Sequence, residues 1–139
     1  MINVKNLVFS KEKVSYKKDA VIFNDQDEGR EMYFIDAGRV KIVKKVGDTE
    51  GILGILNAGD FFGEMALITG KKRVATALAL TDCKLRIMDK KTFDSNLENN
   101  KAFMKKMLET LAHRLEETDL NLSRYFQRVQ RLSKVFKIY

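Results

Sequence analysis

Between Val14 and Met88 the apolar residues fall in short runs: Met32–Ile35, Val40–Val43, Ile52–Leu56, Val74–Leu80 and Leu85–Met88. Runs of this length, rich in Val, Ile, Leu and Phe, predict β-strands. Between them lie Asp25–Gly29, Ala37-Gly38, Gly47–Gly51, Ala58–Asp60 and Thr81-Asp82. Glycine or Asn/Asp at these points supplies the positive φ, or the local side-chain bonding, that tight turns require. Many short strands at this spacing predict an antiparallel sandwich or barrel.

After Phe93 the pattern changes. All 8 glycines lie at or before Gly70, proline is absent, and from Asn100 onward Leu, Met, Glu, Lys and Arg dominate. That is helix composition, and Asn99 or Asn100 is placed to cap its start. Leu108, Leu111, Leu115, Thr118, Leu122, Tyr125, Val129, Leu132 and Phe136 recur at alternating steps of three and four. This heptad seam predicts a parallel homodimer, in which two such stripes bury each other as a coiled coil. The competing reading folds the same stripe back onto its own β-domain.

Length and charge narrow the picture. A chain of 139 residues with 45% hydrophobic content holds one sizeable core and is too short for two ordinary domains. Lys and Arg outnumber Asp and Glu by 26 to 19, for a net charge of +7, which suits anionic partners such as nucleotides, nucleic acid or an acidic protein. With one cysteine, Cys83, and one histidine, His113, neither an internal disulfide nor the usual zinc spacings can be built. No metal or other cofactor is expected. Met1–Val8 lacks the apolar core of a signal peptide, and no later run approaches the roughly 20 residues of a membrane span. A cytoplasmic protein without a membrane partner is expected.

Candidate chemistry concentrates in one stretch. Gly59-Asp60-Phe61-Phe62-Gly63-Glu64-Met65-Ala66-Leu67 leads through Ile68-Thr69-Gly70-Lys71-Lys72 to Arg73-Val74-Ala75-Thr76-Ala77. Gly63 lets backbone approach a ligand closely, and a helical turn opening near Glu64 aims free N–H groups at an anion. Arg73 adds a charge-assisted fork for phosphate oxygens. The Glu64 carboxylate only accepts hydrogen bonds, so it suits hydroxyls such as a ribose 2′-OH rather than phosphate. Taken alone, the Gly-Glu pair and the later arginine also read as an ordinary turn with a surface ion pair.

The stretch resembles the phosphate-binding cassette of cyclic-nucleotide-binding domains: Phe/Ile-Gly-Glu, any residue, Ala/Gly-Leu, a short spacer, then Arg, a small residue and Ala. Ala20–Phe23, Met32–Ile35 and Gly38 look like the paired early strands of that family. Cys83–Leu85 and Phe93 fall where its last strand and following short helix stand, and the seam helix resembles the dimer helix of the bacterial catabolite activator branch. The resemblance implies a mainly β fold with α: an antiparallel, jelly-roll-like β-roll over residues 1–98 with short flanking helices. A long C-terminal helix over 99–139 belongs to the same domain and forms the dimer interface through Leu108, Leu111, Leu115, Leu122, Tyr125 and Val129. That branch carries a DNA-binding helix-turn-helix after this helix, for which a chain stopping at Tyr139 leaves no room.

By the same resemblance the ligand site comprises Phe62, Gly63, Glu64, Met65, Ala66, Leu67, Arg73, Val74, Ala75 and Thr118. Arg73 would neutralise the cyclic phosphate, Glu64 and the Gly63 backbone would hold the 2′-OH, and N–H groups around Ala66 would bond phosphate oxygens. Thr118 stands where the activators bond the adenine amino group; its other reading is a polar seam position that sets register. Asp119 replaces the partner-subunit serine of those activators. Val74 replaces the usual small or hydroxyl residue, which favours cAMP over cGMP as the ligand. Asp19 and Gln26 stand where relatives place turn glycines, and glutamine tolerates positive φ poorly, so a rearranged second turn is expected. Cys83 reads as a buried strand residue and His113 as solvated. Arg124, Arg128, Arg131, Lys134 and Lys137 read as an exposed basic face or a contact for nucleic acid or an acidic partner.

The functional expectation is a cAMP sensor that relays binding to its helix. The alternative is a degenerate fold serving as a protein-protein interaction module without ligand. No nucleophile-base pair or metal cluster supports an enzyme.

Overall fold

The computed structural model describes residues 6–136, with side chains up to Leu132. The sequence-based readings of Lys134, Phe136 and Lys137 therefore lie outside the side chains described. The chain runs β1 (Lys11–Tyr16), β2 (Val21–Phe23), β3 (Glu31–Ala37), β4 (Val40–Val46), β5 (Thr49–Leu56), β6 (Phe61–Phe62), α1 (Glu64–Thr69), β7 (Thr76–Ala79), β8 (Cys83–Asp89), α2 (Lys90–Asn99) and α3 (Lys101–Phe136).

The strands form two four-stranded sheets, ordered β1-β8-β3-β6 and β2-β7-β4-β5. Every pairing is antiparallel. Their facing sides share one core: Tyr33, Ile35, Phe62, Cys83, Leu85 and Ile87 from the first sheet meet Val40, Ala77 and Ala79 from the second. This is the expected β-roll followed by a long helix. Cys83 is buried and free, as its strand position predicts.

β3 is buried on both faces, which explains why Met32–Ile35 reads as one unbroken apolar run rather than an alternation. Tyr33 and Ile35 point into the shared core. On the opposite face Phe34 meets Phe9 edge-on at 5.3 Å and Phe61 at 5.9 Å. Met32 pairs across the ladder with Met88, whose sulfur lies 3.4 Å from the Asn96 amide of α2. That buried amide also donates to the Val8 carbonyl and accepts its N–H, which fastens the start of the described chain to α2.

α2 begins ten residues before the helical composition does, because β8 ends on a built-in cap. The Asp89 carboxylate accepts the Thr92 N–H at 2.8 Å, satisfying one of the first-turn donors. The chain divides into two compact units between Asn100 and Lys101. In the second, every residue from Leu115 to Leu132 is exposed, while Leu111 is half-buried. His113 is exposed, with Nε2 3.2 Å from Glu117 Oε1. No helix among the described residues is long and apolar enough to cross a membrane.

The turn after β2 is built on a left-handed residue. Gln26 takes the left-handed conformation itself, at φ 73, as Asp19 does at φ 70. Its N–H donates to the Arg73 carbonyl at 2.9 Å, and the Arg73 N–H donates back to the Asp27 carbonyl at 2.8 Å. Two long-range backbone bonds thus hold a side-chain-bearing residue where glycine is easier.

The left-handed region costs a residue with a Cβ roughly 1–2 kcal/mol, while glycine loses about 0.5–1 kcal/mol in chain entropy. Gln26→Gly is therefore expected to raise stability by about 0.5–1 kcal/mol. Urea unfolding measures this; a midpoint at or below that of the parent would show that the Gln26 side-chain bond to Asp25 outweighs the relief.

Candidate functional site

The site is built where β6 hands the chain to α1. Phe62 is buried and stacks on Tyr33 with ring centroids 5.0 Å apart. At Gly63 the chain swings to φ 85 and ψ 4. A Cβ there would lie 3.0 Å from Arg73 Nη1 and 3.3 Å from the Glu31 carbonyl, so both conformation and room require glycine. Glu64 opens α1 and is buried, Ala66 and Leu67 are buried, and Met65 is exposed. The first-turn N–H groups of α1 have no carbonyl one turn back to bond.

From Gly70 the chain returns through exposed Lys71 and Lys72 to Arg73, whose side chain runs inward and is only 4% exposed. Nη1 donates to the Gly63 carbonyl at 2.7 Å, and Nη2 donates to the Glu31 carbonyl. The Phe23 ring lies beneath the guanidinium, 4.0 Å from Cζ. Nε is the one buried side-chain nitrogen or oxygen among the described residues with no hydrogen-bond partner. Beside it Gly29 packs closely: a Cβ at that position would stand 2.2 Å from Ala66 Cβ and 3.0 Å from Nε, so only glycine fits.

A guanidinium carries five N–H donors, of which the two carbonyls take two. Nε–H and an adjoining Nη hydrogen make the side-on fork by which an arginine fits a carboxylate or phosphate. An unpaired buried donor costs about 1–3 kcal/mol, so this edge favours an anionic acceptor. Burial lowers the Arg73 pKa, and the negative potential of Tyr33, Glu31, Glu64 and Asp27 opposes that fall.

The segment after Arg73 is clamped from β4, the neighbour of β7 in its sheet. Lys44 Nζ on β4 donates to the Val74 carbonyl at 2.7 Å and pairs with Asp25 at 3.0 Å. Asp25 N–H donates to the Thr76 hydroxyl at 2.9 Å. Hydrogen bonds from Gln26 and then Lys44 hold the Asp25 carboxyl below its ordinary pKa. Val74 is half-exposed and Ala75 buried.

Of the predicted site residues, Phe62, Gly63, Glu64, Met65, Ala66, Leu67, Arg73, Val74 and Ala75 all lie in the first unit. Thr118 lies in the second, exposed on α3, with its hydroxyl donating to the Arg114 carbonyl at 2.9 Å. Sequence reasoning missed Phe23, Gly29, Glu31 and Tyr33 as neighbours of Arg73. Carbonyl contacts carry no residue identity, and Phe23 and Tyr33 read only as strand apolars; Gly29 alone left a signal, as a turn glycine.

Burial first, then the charges of Glu31 and Tyr16, push the Tyr33 phenol up to about 12. A pKa raised on folding means stability is complete below the unfolded value, near 10, and is lost as pH rises through the folded one. Unfolding free energy is expected to decline between pH 10 and about 12. Tyr16, also shifted upward by burial and Glu31, adds to the decline. Tyr33→Phe should flatten part of it in pH-dependent denaturant titrations, and an unchanged slope would remove Tyr33 as a source.

The profile of the family described as "Cyclic nucleotide-binding domain" matches residues 13–100. A "CRP-like cAMP-activated global transcriptional regulator" of Mycobacterium tuberculosis is 28% identical, over 79% of this chain and 50% of its own length. A "cAMP-dependent protein kinase regulatory subunit" of Schizosaccharomyces pombe is 37% identical, over 62% of this chain and 20% of its own. Among solved structures, the Catabolite Activator Protein of Thermus thermophilus superposes with a TM-score of 0.75 at 28% identity, over 81% of this chain and 54% of that one. The chain thus spans about half the length of the bacterial regulator it matches. With the profile extending over most of both sheets, α1 and α2, this chain belongs to the cyclic nucleotide-binding domain family.

Proposed function

We propose that the chain is a regulatory cyclic-nucleotide sensor that takes cAMP in the segment from Phe62 to Ala75 and relays its presence to α3. The observation that carries this reading is the buried Arg73 Nε, left without a hydrogen-bond partner where Gly29 packs close to it. A fold that already spends two carbonyls and an aromatic face on one guanidinium keeps a donor edge for something else. In a family of this kind, a cyclic phosphate is the acceptor whose charge and geometry suit it.

In this reading Arg73 and the first-turn N–H groups of α1 neutralise the phosphate, while Glu64 accepts the ribose 2′-OH. Thr118 supports adenine over guanine by its bonding. Its hydroxyl hydrogen is committed to the Arg114 carbonyl, so the oxygen is left to accept a hydrogen, which an adenine amino group supplies and a guanine carbonyl does not. Val74, without a hydroxyl, offers guanine nothing further. α3 serves a homodimer through Leu108, Leu111, Leu115, Leu122, Tyr125 and Val129, supported by the exposure of the seam from Leu115 to Leu132. A second reading, an interaction module that binds no ligand, draws on the exposed apolar residues Met65, Ile68 and Val74 in and beside α1.

Titration calorimetry separates the two: the sensor reading expects saturable heat with cAMP and weaker binding of cGMP, the module reading none with either. Arg73→Ala should weaken cAMP at least about tenfold, the loss of one charge-assisted fork. It also strips donors from two carbonyls, so Arg73→Lys, which keeps the charge without the fork, serves as the second variant. Thr118→Ala should narrow the preference for cAMP over cGMP. Unaltered affinity in both Arg73 variants would move the pocket elsewhere.

The seam has its own test. Sedimentation of the purified chain is expected to give a dimer, and Leu122→Lys, which sets two charges face to face in the stripe, a monomer with unaltered β-sheet signal. A parent chain that sediments as a monomer at high concentration would reject the dimer.

A further inference from the structure

We infer that Phe23 is the positioning residue of the ligand site: its ring face, on a different sheet from Tyr33 and Phe62, fixes the Arg73 guanidinium so that the Nε–H edge is the one left for the anion. The inference rests on the sensor reading above and names the device that makes its key donor available.

Arg73 reaches the interior from an irregular segment between α1 and β7, so no helix or strand ladder dictates its rotamer. Three contacts do. The Gly63 and Glu31 carbonyls take Nη1 and Nη2, which fixes where the far end of the group lies. Two bonds at that end still permit rotation about the line joining them. The Phe23 ring, 4.0 Å from Cζ, closes that freedom by occupying one face of the planar group. Tyr33 is too distant to do the same, at 6.0 Å. A cation over an aromatic face is held by the ring's quadrupole, more strongly where water is excluded, and Arg73 is almost wholly buried. One face and two nitrogens being occupied, the Nε–H edge is the part of the cation still unpartnered.

Phe23 is itself held in place. It sits at the end of β2, with its ring 5.9 Å from Tyr33 and 6.0 Å from Phe62, and Tyr33 and Phe62 stack on each other. A stack of rings spanning both sheets therefore ends against the charge. The face that greets the ligand is set by core packing, and no charged neighbour has to be paired with Arg73 to aim it.

The test keeps shape and changes only the ring's electrostatics. Phenylalanine analogues carrying successively more ring fluorines, placed at position 23 of the full chain, weaken the quadrupole with little change in volume. cAMP affinity by calorimetry is expected to fall stepwise along the series, by roughly 2- to 30-fold at its end. Phe23→Leu should match the end of the series, and Phe23→Tyr should restore affinity to within about twofold. The same analogues at Phe34, whose ring meets Phe9 and Phe61, should leave affinity unchanged. A flat series at 23 in a chain that binds cAMP overturns this inference and leaves the sensor reading intact, as does an equal fall at 23 and 34. A parent chain that gives no heat with cAMP or cGMP overturns the sensor reading, and the inference with it.

Discussion

A guanidinium enclosed by a small β-fold is the constraint to which the rest of this structure answers. Burying a charge is tolerable only when its hydrogen-bonding and electrostatic needs are met nearby. For Arg73 they are met from four separate places: the Phe23 ring at the end of β2, the Glu31 carbonyl at the start of β3, the Gly63 carbonyl before α1, and the negative potential of Glu64 and Asp27. They come from two stretches of the chain, residues 23–31 and 63–64, and from both sheets, so the cation is accommodated only once both sheets have formed. Folding and assembly of the site are in that sense one event.

The same logic explains a locally unfavourable turn. Gln26 sits at φ 73, where glycine is easier, because the backbone bonds between residues 26–27 and Arg73 need that turn shape. Lys44, reaching from β4 to the Val74 carbonyl and Asp25, reinforces the clamp on its open side. That pair is partly solvated and adds little energy by itself. What it supplies is a fixed position for the segment that carries the arginine.

These features explain what the sequence revealed and what it hid. Strands β3, β4, β5 and β8 were legible because apolar runs met clear turn chemistry. β1 was not: Lys11, Glu12 and Lys13 begin it, a register shift interrupts its pairing with β8, and Lys13 takes φ 55. β6 spans two residues, too few for any period to register. α2 was masked by its polar composition and was anticipated through the family resemblance at Phe93 alone. In the site, Gly63, Glu64 and Arg73 were legible because a side-chain pattern repeats them across a family. The partners of Arg73 were not, since two are main-chain carbonyls, whose role any residue type could fill, and one is a ring that doubles as core. The seam of α3 was legible as a period, but a period does not say what covers it.

The division of labour within the site bears on how a sensor of this design signals. A ligand shifts an equilibrium only through contacts that differ between the two states. Arg73 is already tied to two carbonyls and an aromatic face, all belonging to the first unit. Under the sensor reading, its grip on a phosphate would change little with the state of α3 and would contribute affinity common to both states. Under that reading, discrimination between states is left to the base end of the nucleotide. A stiff phosphate anchor is then an advantage for the switch, because it confines the ligand's freedom to the end where the difference is made.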